Sequence, residues 1–338
     1  MKNLCLIIGA GASFDCVMPG TPVLGQANQK PPLTSELFNN QYDQWMRSFP
    51  KAGGLAAEIR PKLNQSGVES LLRIEANKKN NPARQKQLRQ LPLYFRVLFN
   101  EVSGEYIRPE QTCYFALIQL INDLGFDKVV VISLNYDTLF EQALERALDL
   151  SFSVMSDYFD PARAWKILKP HGSVNWVKRI KDSESAISDV ATYVSFIDGL
   201  EELNYLDAEP VIDLHPDKWR MSGKAIYPQL TIPMEGKYDY FCPEEHVKLA
   251  KELIAECGAF CLIGSSMKDD DVVNDVIKVS LNKPVKALIA VTGDEGTGNE
   301  KFVERTIACF GRTPSQVYKE GFNRFIQTGE AEKFLLGI

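Results

Sequence analysis

Short apolar runs recur along the chain and alternate with longer segments of helical periodicity. The first run, Leu4–Ile8, has only apolar residues and ends at a glycine turn. Such a run is typical of a strand that is buried on both faces of a parallel sheet. Further strands are predicted at Lys128–Ser133, Ala164–Leu168, Ala259–Gly264 and Pro284–Val291.

Between several of these runs the apolar residues follow the period of an amphipathic helix. The predicted helices are Asp137–Leu148, Glu244–Cys257, Asp270–Val279 and Lys301–Phe310. Apolar strands that alternate with helices form βαβ units, which build a parallel sheet with helices on both faces. The pattern therefore predicts an α/β fold.

Two segments interrupt this alternation. Residues 34–124 carry helical patterns with few strand signals, and we interpret them as an inserted helical module. Residues 178–224 are polar and contain prolines, which predicts an irregular insertion. The sheet domain would then comprise residues 1–33 and 125–338. Helices within the module are predicted at Val68–Lys78, Gln85–Glu101 and Thr112–Leu124, and Ser315–Leu336 is predicted to form one or two amphipathic helices.

Composition narrows the classes of protein to consider. The chain has 338 residues, 45% of them hydrophobic, which is enough for a sizeable core. Its net charge of −6 argues against a main role in coating nucleic acid or an anionic membrane. We find neither a signal-peptide pattern nor an apolar run near the roughly 20 residues that span a bilayer. Seven scattered cysteines without a C-x-x-C pair fit a reducing cytoplasm and exclude a four-cysteine zinc ribbon.

The turn after the first strand is the strongest candidate for ligand binding. In Gly9-Ala10-Gly11-Ala12-Ser13 the two glycines allow a sharp turn into a helix whose N–H groups can face a phosphate. The turn differs from a dehydrogenase fingerprint, because Phe14 stands where the third glycine would be. The second strand with an acidic residue about 20 positions on is also missing.

Three more polar patterns come directly after predicted strands, where ligands bind in open α/β sheets. In the first, Asn135 ends a strand and Asp137 begins a helix, although both residues are also common in plain turns and helix caps. In the second, His171 lies in a loop beside a glycine and is either a general base or a hydrogen-bonded structural histidine. The third is a glycine-serine turn, Gly264-Ser265-Ser266, followed by a run of aspartates from Asp269 that also suits a helix start.

The remaining polar features have simpler interpretations. The other two histidines, His215 and His246, are expected on the solvated surface. A basic run between Lys78 and Arg89 is expected to form a solvated helix face, and the apolar positions Leu88 to Phe99 a core stripe. No set of ligands supports a metal site beside the aspartates.

Together, and in this order, the four patterns resemble the sirtuin superfamily. Gly9–Ser13 is similar to its G-A-G-x-S nucleotide turn, and Asn135 and Asp137 match its N-x-D motif. His171-Gly172-Ser173 matches the H-G-S motif that carries the catalytic histidine, and Gly264 with Ser266 matches the late G-x-S turn. The resemblance implies a Rossmann-like NAD-binding domain with a helical module inserted near its start.

The chain departs from the protein-deacylating sirtuins in ways that matter. Those enzymes carry a four-cysteine zinc module soon after H-G-S, whereas this chain has no cysteine between Cys113 and Cys242. Tyr136 occupies the middle of N-x-D, where the deacylases favour an aliphatic residue. These departures, and the Gly264-x-Ser266-x-x-Asp269 pattern, resemble a bacterial branch whose members hydrolyse NAD as antiphage effectors. The expected substrate is therefore NAD+, with no zinc.

The resemblance implies a role for each motif in cleaving the bond between nicotinamide and ribose. Asn135 and His171 would be catalytic, with His171 accepting a proton from water or a ribose hydroxyl. NAD+ would be held by the two glycine turns and by residues beside the catalytic pair: Gly9, Ala10, Gly11, Ala12, Ser13, Asp137, Gly172, Ser173, Gly264, Ser265, Ser266 and Asp269. NAD-dependent deacylation or ADP-ribosylation, and a non-catalytic nucleotide sensor, are the alternatives. Control by homo-oligomerisation, or by a separate sensor such as a hexameric ATPase, is implied for such an effector.

Overall fold

A computed structural model of the chain describes residues 2–18, 30–106, 108–181, 183, 187–215, 217–234, 240–268, 271–293 and 298–338. The strands are β1 (Asn3–Ile8), β2 (Lys128–Ser133), β3 (Trp165–Leu168), β4 (Gly172–Arg179), β5 (Val211–Ile212), β6 (Arg220–Met221), β7 (Lys224–Leu230), β8 (Ala259–Ile263), β9 (Ala287–Val291) and β10 (Gln316–Tyr318). They form two sheets, one parallel and one antiparallel.

The helices are α1 (Ala10–Phe14), α2 (Asp43–Met46), α3 (Pro50–Ile59), α4 (Val68–Ala76), α5 (Pro82–Tyr106), α6 (Cys113–Asp123), α7 (Leu139–Leu148), α8 (Val190–Gly199), α9 (Glu244–Ile254), α10 (Gly298–Phe310), α11 (Gly321–Gln327) and α12 (Glu330–Leu336). Helices α2 to α6 lie within the predicted module, and α1 and α7 to α12 lie outside it. Short 3₁₀ turns occur at Thr34–Glu36, Asn40–Tyr42, Arg60–Lys62, Pro109–Gln111 and Met155–Phe159. A π-helix covers Val272–Lys278, where the sequence predicted an ordinary helix.

The parallel sheet has the order β10-β9-β8-β1-β2-β3, which confirms the predicted α/β fold. All residues of β1 and β8 are buried, so both faces of the sheet are covered. Leu4 of β1 lies opposite Val129 on one side and Ala259 on the other. From the central β1 the chain first adds β2 and β3 on one side and then β8, β9 and β10 on the other. This is the strand order of doubly wound dinucleotide-binding folds. Its switch point, where such folds bind ligands, lies between β1 and β8.

The segment predicted as an irregular insertion is partly regular, which corrects that expectation. β4 to β7 form an antiparallel sheet of order β5-β4-β7-β6, and α8 lies between β4 and β5 in the chain. Val177 of β4 pairs with Pro228 of β7. β4 lies far in the sequence from its partners β5 and β7, and the local pair of β6 and β7 includes a strand of only two residues, so no local pattern identifies this sheet.

The predicted helical module is helical, and its longest helix packs on the antiparallel sheet. α5 covers the predicted Gln85–Glu101 and extends beyond it at both ends, with Pro92 inside. It packs against α3 and against β4 and β7 of the antiparallel sheet. α6, the last predicted helix of the module, packs instead against α7 and α11 of the parallel-sheet layer.

The basic run in this module is only partly solvated. Lys78 is exposed, as expected, but the guanidinium of Arg84 is buried and lies 2.9 Å from Glu75. Arg89 donates to the backbone carbonyl of Glu201 at 2.9 Å. Arg84 therefore joins α5 to α4, and Arg89 joins α5 to the segment after α8. Neither partner can be recognised from the local sequence pattern.

The C-terminal segment also differs from expectation. The predicted helices within Ser315–Leu336 are present as α11 and α12, but β10 precedes them and extends the parallel sheet beside β9. A strand of three residues is too short to show an alternating pattern. In the part of the chain that the structure describes, we find no helix with the length and apolar character needed to cross a bilayer.

Candidate functional site

A cavity of about 320 Å³ lies at the carboxyl ends of the central strands, beside the switch point. It brings together most of the predicted site residues: Gly9, Ala10, Gly11, Ser13, Asn135, Asp137, His171, Gly264, Ser265 and Ser266. Ala12, Gly172 and Ser173 are not among its lining residues, and Asp269 lies outside the residues that the structure describes. Asn135 and His171 thus share one cavity, as the sequence predicted.

The two glycine turns interlock at the switch point. The backbone N–H of Gly9 donates to Ile263 and that of Gly11 donates to Gly264, both at 3.0 Å. Gly264 has a φ of +60°, and a Cβ there would lie 2.1 Å from the backbone nitrogen of Ala12. Only glycine fits such a contact, because a side chain would force the turns apart.

This packing changes the role expected for the first turn. The N–H groups of Gly9 and Gly11 are used by the β8 turn, and that of Ala12 donates to the carbonyl of Gly9 at 2.9 Å. The helix that follows, α1, has only five residues. The glycines therefore serve first to join the turns after β1 and β8, and these N–H groups are not free to cradle a phosphate.

Asn135 is held by a buried cluster of hydroxyl groups. Its Nδ2 donates to Ser13 Oγ at 2.9 Å, and that hydroxyl lies 2.9 Å from the hydroxyl of Tyr114. Asn135 Oδ1 is buried and has no hydrogen-bond partner within the described ranges. A buried acceptor without a partner is costly in a folded protein. The side chain is thus anchored by its amide nitrogen while its oxygen remains available to a ligand.

Asp137 combines the two interpretations that the sequence left open. Its Oδ1 accepts the backbone N–H of Leu139 at 3.1 Å at the start of α7, as expected of a helix-start residue. The residue also lines the cavity. Burial raises the pKa of its carboxyl, and the nearby Lys169 ammonium and the hydrogen bond from Ser13 partly oppose this rise.

His171 lies in the loop between β3 and β4 and is only 4% exposed. Its ring centroid is 6.5 Å from that of Tyr136, and its backbone carbonyl accepts the N–H of Thr231 at 2.9 Å. The following Gly172 has a φ of +77°, and a Cβ there would lie 1.9 Å from the carbonyl oxygen of Gln229. Gly172 therefore allows β4 to approach β7 immediately after His171.

Ser173 has a structural contact where the sequence predicted a cofactor contact. Its side chain is fully buried, and its Oγ donates to the backbone carbonyl of Tyr136 at 3.4 Å. The N–H of Val174 donates to the same carbonyl at 3.0 Å. Ser173 and Val174 thus join the His171 loop to the Asn135 loop. Gly172 and Ser173 do not line the cavity, and their expected contact with NAD+ stays a prediction.

The rest of the cavity lining comes from residues that sequence analysis did not select. The helical module contributes Thr34, Ser35, Leu37, Gly67, Val68, Glu69 and Phe99, and the sheet domain adds Pro32, Leu33, Leu134, Tyr136, Pro233 and Lys268. Phe99 was interpreted as part of a core stripe, and it also lines the cavity. Leu134, Tyr136 and Lys268 stood within or beside a recognised motif, and no local signal marks the others.

The other two histidines differ in their surroundings. His215 is exposed, as expected. His246 was expected on the surface, but it is 6% exposed and its ring centroid lies 4.7 Å from that of Phe159. Burial lowers its pKa to about 4, so His246 is neutral near pH 7.

The cysteines form no recognisable functional group. All seven are buried and unbridged. Across the described ranges no three His, Cys, Asp or Glu side chains are grouped closely enough to hold a metal ion. Burial raises the pKa of the Cys5 and Cys16 thiols, so both behave as small apolar side chains.

Comparisons with known proteins find Sir2 homologues among the solved structures. Similar solved structures include a complex of a Sir2 homologue with NAD (14% identity, 99% of this chain and 91% of that chain, TM-score 0.42). Another is a structure from a study of the mechanism and regulation of Sir2 enzymes (16% identity, 98% of this chain and 93% of that chain, TM-score 0.43). A third is Sir2Tm bound to a propionylated peptide (13% identity, 99% of this chain and 94% of that chain, TM-score 0.41). No curated protein sequence gives a match.

The family is shown by the sequence itself. The model of the SIR2-like domain matches residues 129–306, which is more than half of the chain. The match includes the Asn135, His171 and Gly264 motifs. The chain therefore belongs to the SIR2-like domain family.

Proposed function

We propose that this protein is an NAD+ glycohydrolase that cleaves NAD+ to nicotinamide and ADP-ribose. The observation that carries the proposal is the meeting of Asn135 and His171 on one cavity at the switch point of a doubly wound sheet. A carboxamide and an imidazole that line the same cavity are suited to hold a sugar or water and to accept a proton. Membership of the SIR2-like family supports the choice of NAD+ as substrate.

The residues on the cavity wall fit a nucleotide. Asn135 Oδ1 is a buried acceptor without a partner among the described residues, and a ribose hydroxyl or water would satisfy it. The cavity volume, about 320 Å³, lies within the range of small-molecule sites. Ser265 and Ser266 add polar groups beside apolar Leu134 and Phe99. This mixture suits a ligand with sugars, phosphates and flat rings.

Each side chain has a role in the proposed reaction. Breaking the nicotinamide–ribose bond of NAD+ releases neutral nicotinamide and requires water at the ribose carbon. His171 accepts the proton of that water, a role worth about 10²–10⁴ in rate. Asn135 holds the water or a ribose hydroxyl, and Asp137 orients the Asn135 loop. Burial of His171 and Asn135 keeps bulk water away from the reacting groups.

The remaining residues would hold the rest of NAD+. We propose that the first turn faces the pyrophosphate through Ala10 and Ser13, because the N–H groups of Gly9, Gly11 and Ala12 are already bonded. Ser265 and Ser266 address the adenosine end, and Asp269 keeps the role that the family resemblance implies. We expect the reaction to proceed without zinc, which a chelator control tests directly.

Incubation of the purified protein with NAD+, followed by chromatography of the products, tests the activity. We expect free ADP-ribose and nicotinamide from the unchanged protein. His171→Ala and Asn135→Ala should abolish turnover, whereas His215→Ala and Asn204→Ala, at exposed positions, should retain it. Undiminished turnover in the His171 or Asn135 variant would refute the assignment.

The same experiment separates the alternatives. Release of ADP-ribose without any acceptor protein indicates hydrolysis, whereas turnover that needs an acylated or other acceptor protein indicates transfer. Calorimetric binding of NAD+ without product would indicate a nucleotide sensor. A catalytic role is favoured over a nucleotide sensor because His171 and Asn135 both line the cavity.

Uncontrolled NAD+ hydrolysis would harm a cell, so we propose that the enzyme is regulated. Resemblance to antiphage effectors of the cytoplasm suggests control by homo-oligomerisation or by a separate sensor, possible partners including a hexameric ATPase. Light scattering with and without NAD+, alongside the turnover assay, tests the first route. Turnover that stays constant while the protein passes from monomer to oligomer would contradict it.

A further inference from the structure

The loops that carry Asn135 and His171 are joined by one buried lysine. Lys169 lies two residues before His171, and its side chain is fully buried. Its Nζ donates to the backbone carbonyl of Asp137 at 2.5 Å, in the loop that follows β2. Its own carbonyl accepts the N–H of Gly172 at 3.0 Å. Lys169 thus holds the Asn135 loop with its side chain and closes the His171 turn with its backbone.

The ammonium of Lys169 is held by a second buried partner. It lies 2.7 Å from Glu141 Oε1 on α7, and the two side chains are 0% and 4% exposed. The same oxygen accepts the hydroxyl of Tyr158 at 3.2 Å, and that hydroxyl accepts Nε1 of Trp176 at 3.3 Å. The lysine is therefore fixed by a chain of buried hydrogen bonds that extends from α7 to β4.

Stability alone gives a weak reason for this arrangement. Removing two charges from water costs about as much as their attraction returns, so buried ion pairs are often replaceable by apolar residues without loss of stability. What an apolar pair would lack is the directed bond from Lys169 to the Asp137 carbonyl. The strand ends themselves are held together by the pairing of β2 with β3, and the Lys169 bond adds a tie beyond them, between the loop that carries Asn135 and the loop that carries His171.

We propose that Lys169 is a positioning residue that sets the relative placement of Asn135 and His171, with Glu141 holding its ammonium in place. The proposal rests on the proposed NAD+ cleavage for its kinetic consequence. Its structural consequence, the placement of the His171 ring, is independent of any activity. A displacement of about 1 Å between reacting groups lowers a rate by about 10²-fold.

The test separates positioning from stability by removing the whole ion pair. Lys169→Met alone leaves the Glu141 carboxylate buried without its cation, and we expect a large loss of stability. In Lys169→Met/Glu141→Leu both charges are gone, and we expect the melting temperature to fall much less than in Lys169→Met, because only the neutral Tyr158 hydroxyl and Asp137 carbonyl lose a partner. The matched control is Arg84→Met/Glu75→Leu, which removes a buried pair within the helical module.

Two measurements are made on each folded variant. The first is NAD+ turnover, where Lys169→Met/Glu141→Leu should lower kcat by about 10²-fold with little change in KM. The second is the NMR signal of the His171 ring, which is identified by its loss in His171→Ala because the chain has only three histidines. We expect that signal to shift in the Lys169 double variant and to stay in place in the Arg84 control, with exposed His215 as the internal reference.

Each outcome decides the matter. A folded Lys169→Met/Glu141→Leu variant with unchanged kcat and an unchanged His171 signal overturns the positioning role. Failure of the double variant to fold also overturns it, in favour of a purely structural role. Absence of NAD+ turnover in the unchanged protein rejects the proposed function instead, and the His171 signal then still tests the placement.

Discussion

Substitution of Gly264 tests whether the two glycine turns must interlock. In Gly264→Ala the new Cβ would lie 2.1 Å from the nitrogen of Ala12 and 2.4 Å from the carbonyl carbon of Gly11. Both neighbours are backbone atoms, so neither can rotate away as a side chain would. The turns after β1 and β8 must therefore separate, and the 3.0 Å bond from Gly11 to the Gly264 carbonyl is lost.

The expected cost has two contributions. The left-handed conformation costs a residue with a Cβ about 1–2 kcal/mol. A backbone group that is shielded from water and loses its hydrogen bond costs about 1–3 kcal/mol more. We therefore expect Gly264→Ala to lower the free energy of unfolding by about 2–5 kcal/mol. Binding of NAD+ should also weaken, because both turns line the cavity.

Gly125→Ala is the matched control, because it separates the conformational cost from the contact. Gly125 has a φ of +66°, close to the value at Gly264, but nothing lies within 4 Å of its added Cβ. Urea unfolding should show a loss of about 1–2 kcal/mol for this variant. If the two variants lose the same free energy of unfolding, the turns tolerate separation and the reasoning is wrong.

Three further changes test other parts of the site. Ser13→Ala removes the hydroxyl that anchors Asn135 Nδ2. We expect kcat to fall at least about tenfold while the urea midpoint changes little, and an unchanged kcat would contradict this. Gly172→Ala places a Cβ 1.9 Å from the Gln229 carbonyl oxygen, so little folded protein should be recovered, and a normal yield with native circular dichroism would refute the contact. His246→Phe should reduce the loss of stability on acidification. The pKa of His246 is about 4 in the folded protein, below the ordinary value of about 6.5 in the unfolded chain. Between pH of about 6.5 and about 4 the unfolded chain therefore binds more protons than the folded protein, and the free energy of unfolding falls as the pH falls. Urea midpoints at about pH 7.5 and about pH 5 measure this, and an equal loss in both proteins would contradict it.

The elements that the sequence predicted well are those buried on both faces. β2 was predicted at Lys128–Ser133 and has those bounds in the structure. Its apolar run carries the signal by itself, because every side chain but the first is buried. The predicted α/β class and the parallel sheet followed from such runs and are confirmed.

The elements that the sequence missed are too short to show a pattern or depend on distant partners. β5, β6 and β10 have two or three residues each, too few for any periodicity. The expected exposure of His246 was wrong for a similar reason. The start of α9 is polar, and the ring of Phe159 that covers His246 comes from a different segment.

The sequence by itself determined which chemical groups stand at the ends of the central strands. Asn135, His171 and the two glycine turns each follow an apolar strand, and the ends of parallel strands meet along one edge of a sheet. A local pattern is sufficient for this, because strand and turn are adjacent in the chain. Whether Asn135 and His171 act as the catalytic pair stays a prediction.

Only the tertiary structure decided how these groups face one another and what surrounds them. The helical module supplies part of the cavity lining, the β8 turn accepts the N–H groups of Gly9 and Gly11, and Lys169 donates to the carbonyl of Asp137. Each of these contacts joins segments that are far apart in sequence. Their geometry depends on the packing of whole elements, so no local pattern of residues contains it.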